Sequence, residues 1–202
     1  KGEHHLEVWA QLHDAVVRDD ASADLAMAYD ALSKEKRIKL LAPGDRALLL
    51  LHAGQFFGDV LGDTDGAIGF AEQALEAVPG HPEAFQALER LLTAQGDPAR
   101  LGKLYVDAAS SESDPERQLE LLRRAAEQVE GVPAADGVAM DVYQRMLRLD
   151  PTSEQALGAV VSRLMGAGKA REAAKVLEDG VRRAEQAEGA DSTALRSRLL
   201  DL

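Results

Sequence analysis

The 202-residue sequence contains no cysteine and no asparagine. Without cysteine there is no disulfide, no thiolate metal site and no cysteine nucleophile. Aromatic residues make up 4%, and isoleucine occurs twice, as Ile38 and Ile68. So small a supply of strand-favouring side chains argues against a mostly-β protein. No apolar run approaches the roughly 18 residues that a bilayer-spanning helix needs, so no membrane partner is expected. Cations are in deficit: 23 Lys and Arg stand against 35 Asp and Glu, a formal net charge of −12. Nucleic acid needs clustered cations to meet its phosphates, so it is not an expected partner either. No signal peptide is visible, and a cytoplasmic location is the expectation. The chain begins at Lys1 rather than Met and ends inside an expected helix, Ser192–Leu202. Both ends read as cut, so an excerpt of a longer protein is expected.

What the sequence does have is helix-forming material: 35 Ala and 29 Leu, with hydrophobic residues at 46%. That is ample for a buried core, and disorder is excluded on composition. The hydrophobic spacing is helical. Trp9, Leu12 and Val16 form an i, i+3, i+7 stripe, as do Phe85, Leu88, Leu92 and Leu157, Val160, Leu164. Turn signals interrupt it at Pro43-Gly44, Gly62-Asp63, Pro79-Gly80, Gly96-Asp97-Pro98, Asp114-Pro115, Asp150-Pro151 and Gly166 to Gly168. The spacing predicts about eleven helices joined by short connections.

The segments repeat. At a shift of 72, Leu50, Ala53 and Phe57 fall on Leu122, Ala125 and Val129, and Ala67, Ala71 and Pro79 fall on Ala139, Tyr143 and Pro151. At a shift of 76, Trp9, Leu12 and Tyr29 fall on Phe85, Leu88 and Tyr105. A single array is expected, with four-helix units at 4–78 and 80–149 and a partial third from 150 to 202. Each unit splits into two helical hairpins.

These hairpins resemble the tetratricopeptide repeat (TPR). The pattern is carried by Leu50, Ala53, Gly54, Phe57, Ala67, Ala71, Ala74 and Pro79, and again by Leu122, Ala125, Ala126, Val129, Ala139, Tyr143, Met146 and Pro151. A third copy reads Leu157, Val160, Leu164, Ala173, Leu177 and Gly180. In two hairpins, His13 and Glu89 replace a small residue, and Leu25 and Leu101 replace an Ala, so looser packing or a different packing angle is expected there. The resemblance implies an all-α, right-handed solenoid of stacked antiparallel hairpins. It also implies that the first helix of each hairpin lines a concave, partner-binding surface. No single hairpin buries its apolar face alone; stacking completes the core.

Chemistry-bearing motifs are sparse. His5 and His13 share a helix face but stand eight residues, about 12 Å, apart, too far for one metal. Residues 61–72, LGDTDGAIGFAE, place Asp63, Asp65, Gly66 and Glu72 at calcium-loop positions, but Leu61 occupies the first ligand position. The same residues read as a hairpin turn, which requires 66–78 to be helical. Gly166 to Lys169 lacks the first glycine, the hydroxyl residue and the preceding strand of a phosphate loop. No nucleophile–base constellation stands out, so no enzymatic activity, cofactor or metal is expected. The basic run Lys34 to Lys39 reads as a solvated helix end.

The implied role is a non-catalytic scaffold that binds a protein or peptide. In the repeat register the binding face carries Asp14 and Arg18; His52, Gln55 and Asp59; Glu83, Gln86 and Arg90; Glu120, Arg123, Arg124 and Glu127; and Gln155 and Ser162. Some members of the family bind a C-terminal carboxylate through a clamp that uses asparagines, which this chain lacks. The alternatives are self-association through terminal repeats and a regulatory array attached to an enzyme. High alanine content and a preference for Arg over Lys point to a GC-rich bacterial genome.

Overall fold

The computed structural model describes residues 3–186. The expected helix at 192–202 lies outside the described residues, as do the side chains of residues 3–8. Among the described residues the architecture is all-α, with ten α-helices. Two compact units meet at the Gly96/Asp97 boundary.

The first unit holds α1 (Glu3–Arg18), α2 (Ser22–Lys34), α3 (Pro43–Gln55), α4 (Thr64–Ala77) and α5 (Pro82–Gln95). The second holds α6 (Pro98–Ser111), α7 (Pro115–Val129), α8 (Asp136–Leu149), α9 (Glu154–Gly166) and α10 (Ala170–Gln186). The expected turn signals bound these helices. Proline occupies the first turn of α3, α5, α6 and α7, where its missing N–H costs nothing. Aspartates cap three helices: Asp63 accepts from the Gly66 N–H, Asp97 from Arg100 and Asp114 from Glu116. Gly96 closes α5 at φ 70°, a left-handed conformation that glycine adopts without steric cost.

Within each unit, consecutive helices pack on one another. The most extensive contacts join α3 to α4 and α6 to α7. Helices two apart also touch, α3 with α5 and α6 with α8, as stacked hairpins require. This is the local arrangement of an α-solenoid similar to the tetratricopeptide type. The small residues of the repeat sit in its seams: Ala53, Ala67, Ala71 and Ala74 in the first unit, Ala125, Ala126 and Ala139 in the second, all at most 2% exposed. Thr64–Ala77 is helical and Asp63 caps its first turn, so within 61–72 residues 61–63 make the hairpin turn and the rest begin α4.

Two departures from the regular pattern occur in the first unit. The end of α3 continues as a π-helical turn, Phe56–Val60, with Leu61 N–H reaching the Phe56 carbonyl at 3.2 Å. The wider turn shifts the register: Phe56 is fully buried, while Phe57 is half-buried against the Phe70 ring at 4.9 Å. The sequence register places Phe57, not Phe56, in the seam. The basic run also divides. Lys34 ends α2 and pairs with Asp30 at 2.7 Å; residues Lys36–Leu40 then form a 3₁₀ turn in which Ile38 is buried.

The contact of α1 with α2 is sparse. Aromatic stacking supplements it. Trp9 lies 4.9 Å from the His52 ring and 6.2 Å from that of Tyr29, and His13 lies 4.9 Å from Phe56. His13 therefore fills the place of the expected small residue by packing into an aromatic cluster.

Candidate functional site: a recess over Tyr143

The ten partner-binding candidates fall on first helices of the hairpins. Asp14 and Arg18 lie on α1, Gln55 at the end of α3, and Glu83, Gln86 and Arg90 on α5. Glu120, Arg123, Arg124 and Glu127 lie on α7. All ten are exposed. Arg124 turns toward Glu120 on its own helix at 3.6 Å, and Glu83 meets the His81 ring at 3.1 Å. His52 does not belong with them: it is 5% exposed, stacked under Trp9 in the core.

In the second unit, α7 and α9 flank a recess of about 520 Å³ with Tyr143 of α8 at its floor. Helix α7 contributes Ala126 and Glu127, and Glu130 follows at its C-cap. Helix α9 contributes Glu154, Gln155, Gly158, Ala159, Ser162 and Arg163. The recess has a simple cause. Ala126, Gly158 and Ala159 are small where α7 and α9 border it, so space is left open beside the Arg163 side chain.

A chain of polar contacts fixes the floor. The Tyr143 hydroxyl donates to the Glu130 carboxylate. Arg163 lies over the Tyr143 ring, 5.0 Å from its centroid, a favourable place for a cation. Its Nε donates to Asp136 at 3.0 Å and one terminal nitrogen to the Ala159 carbonyl at 3.2 Å. Burial, then the hydrogen bond and charge of Glu130, push the Tyr143 phenol up to about 12. The phenol therefore stays protonated and donates at neutral pH. The recess offers carboxylate acceptors, an amide, a hydroxyl and the half-buried small residues Gly158 and Ala159: groups suited to recognition.

Of the recess residues, Glu127, Gln155 and Ser162 are among those the repeat register assigns to the binding face, and Tyr143 is a repeat position. Glu130, Glu154 and Arg163 are not found that way. Glu130 and Arg163 acquire a role only because they converge on Tyr143 from 13 residues before it and 20 after. Among the described residues, no group of three or more His, Asp or Glu is placed to hold a metal. No helix there is long and apolar enough to cross a membrane.

No family model matches the chain, and no curated protein does. Among solved structures it is similar to a crystal structure of MamA, at 16% identity and TM-score 0.37 over 86% of this chain and 95% of that one. A second crystal structure of MamA shares 14% identity at TM-score 0.38, over 89% of this chain and 92% of that one. MamA AMB-1 shares 12% at TM-score 0.38, over 95% and 98%. At these identities and TM-scores the likeness assigns neither fold nor function; the hairpin architecture rests on this chain's own helices and cores.

Proposed function

We propose that the chain is a tetratricopeptide-type interaction module that binds a protein or peptide through the face formed by its first helices, without catalysing a reaction. The observation that carries this reading is the recess between α7 and α9: a shaped hollow lined by both polar and apolar groups and flanked by two first helices. Its volume falls within the range of about 300–1,000 Å³ typical of ligand-binding pockets. Asp14, Arg18, Gln55, Glu83, Gln86 and Arg90 in the first unit, and Glu120, Arg123, Arg124 and Glu127 in the second, are proposed contacts on the first helices of their own unit. The four-helix periodicity of 4–78, 80–149 and 150 onward is part of the proposal. So are a bacterial source, supported by composition with 16 Arg against 7 Lys, and a cytoplasmic setting.

Site-specific photo-crosslinking tests it. Crosslinkers at Gln86 on α5 and Gln155 on α9 should capture a protein partner in native lysate, and one at the exposed Gln144 on α8 should not. Equal capture from all three positions, or capture from Gln144 alone, would refute the assigned face.

A second reading, self-association, is favoured by exposed apolar side chains in the first unit. Leu40 is 85% exposed, Met27 63% and Val17 52%. Light scattering on a concentration series decides it: a strict monomer excludes this reading.

A further inference from the structure

The recess over Tyr143 has a charge preference. Its basic side chain, Arg163, is already engaged by Asp136, by the Ala159 carbonyl and by the face of the tyrosine. Three carboxylates, Glu127, Glu130 and Glu154, line the same hollow. Even with Glu154 set aside, the carboxylates of Glu127 and Glu130 outnumber that guanidinium, so the lining carries a net negative formal charge. Glu127 and Glu130 stand three residues apart, so their side chains project from neighbouring positions on one face. Glu130 gives an oxygen to the Tyr143 hydroxyl, and a carboxylate retains acceptor capacity beyond one such bond.

We propose that this recess docks an arginine-bearing segment of a partner protein, its guanidinium set against Glu127 and Glu130 and its aliphatic stem against Gly158 and Ala159 of α9. The proposal rests on the interaction reading above and adds the chemistry of the partner. Charge complementarity selects a cation, because bringing a further carboxylate beside Glu127 and Glu130 is repulsive. The planar guanidinium fork suits a site with more than one carboxylate better than the point charge of lysine does. Gly158 and Ala159, half-buried at the edge of the recess, receive the methylene stem, which an arginine buries while keeping its head among polar groups.

The test uses the intact chain and fluorescence anisotropy with three labelled hexapeptides of alanine, bearing two arginines, two citrullines or two glutamates. Citrulline keeps the shape of arginine and removes its charge. The arginine peptide should bind saturably, and the citrulline peptide roughly tenfold more weakly or worse. Glu127→Gln/Glu130→Gln should weaken the arginine peptide by a similar factor. Both positions are exposed, and glutamine keeps an acceptor for Tyr143. The control Asp107→Asn/Glu178→Gln removes the same charge at exposed sites outside the recess and should change affinity by less than about twofold. A further variant, Ser162→Trp, fills the hollow from an exposed position and should abolish binding.

Equal binding of the citrulline peptide overturns the proposal, as does equal loss in the control, which would mean attraction to net charge alone. If the glutamate or citrulline peptide binds best and Ser162→Trp blocks it, the interaction reading stands and the cation preference falls. If no peptide binding responds to Ser162→Trp, both fall. Concentration-dependent assembly of the chain that Glu127→Gln/Glu130→Gln abolishes would make a second copy the occupant and overturn a separate partner.

Discussion

Gly102 lies in the middle of α6, where glycine normally costs up to about 1 kcal/mol relative to alanine. The second unit shows why it is there. A Cβ at position 102 would stand 2.4 Å from a Val129 methyl carbon and 3.5 Å from one of Val138. Close approach of α6 to α7 and α8 depends on that missing atom. Ala71 and Ala125, at 2% and 0% exposure, mark seams of the same kind, and the repeat pattern makes both legible in the sequence. Gly69 is the contrast: a helical glycine whose Cβ would have nothing within 4 Å. Gly102→Val, Ala71→Trp and Ala125→Trp should each destabilise by about 1–3 kcal/mol through overpacking. Gly69→Ala should stabilise by about 0.4–1 kcal/mol by restricting the unfolded chain. Urea unfolding of the four variants checks this; unchanged midpoints in both tryptophan variants would refute the register. Amino-acid type marks a tight seam well. It does not mark a recess, because Ala126, Gly158 and Ala159 are small for the same apparent reason as Ala125, yet they border open space.

At the scale of elements, boundaries were the most legible feature, since each signal is chemically local: an aspartate that caps, a proline whose N–H is not needed, a glycine free to take positive φ. The π-turn at Phe56–Val60 was not, because nothing in FFGDV distinguishes a wider turn from an ordinary one until its carbonyls choose partners. Helix α1 shows how an element can depend on few groups. His13 Nε2 lies 3.0 Å from the Tyr29 hydroxyl, inside the cluster that holds α1 to the first unit. Burial lowers the His13 pKa below its usual 6.5, while the charges of Asp14 and Asp59 partly oppose the shift. A histidine with a depressed folded pKa is bound by fewer protons in the folded state than in the unfolded state just below pH 6.5. Its contribution to stability is therefore present above pH 6.5 and is lost as pH falls through the folded value. The sole tryptophan, Trp9, lies in the same cluster, so its fluorescence reports the docking of α1. Acid titration from pH 7 downward should shift that signal before far-ultraviolet dichroism is lost, and His13→Gln should flatten the early phase. An early phase unchanged by His13→Gln would assign it to another group.

Across the whole chain, the net charge of −12 conceals segregation. Leu51 to Glu89 contains seven acids and no Lys or Arg, while Lys34 to Arg46 carries five bases against two acids. Burial is segregated as well. Among the described side chains of α1 and α2 the buried residue is Tyr29, and Leu12, Val17, Met27 and Leu32 are all more than a third exposed. In α7 and α8, by contrast, Leu122, Ala125, Ala126, Val129, Ala139, Val142, Tyr143 and Met146 are at most 2% exposed. The repeat period, visible in the sequence, could not foretell this asymmetry, because it aligns positions and not the depth to which each is buried. In arrays whose hairpins contact chiefly their neighbours, stability is a sum of local terms and openings are local. Segments with few buried apolar contacts open at low free energy, and those with dense cores open only with their unit. Native-state amide exchange should therefore be slowest in α7 and α8 and fastest in α1 and α2, differing by roughly two orders of magnitude or more in protection. Uniform protection along all ten helices would mean that the chain opens as one cooperative body and that α1 and α2 draw stability from contacts other than their own sparse packing.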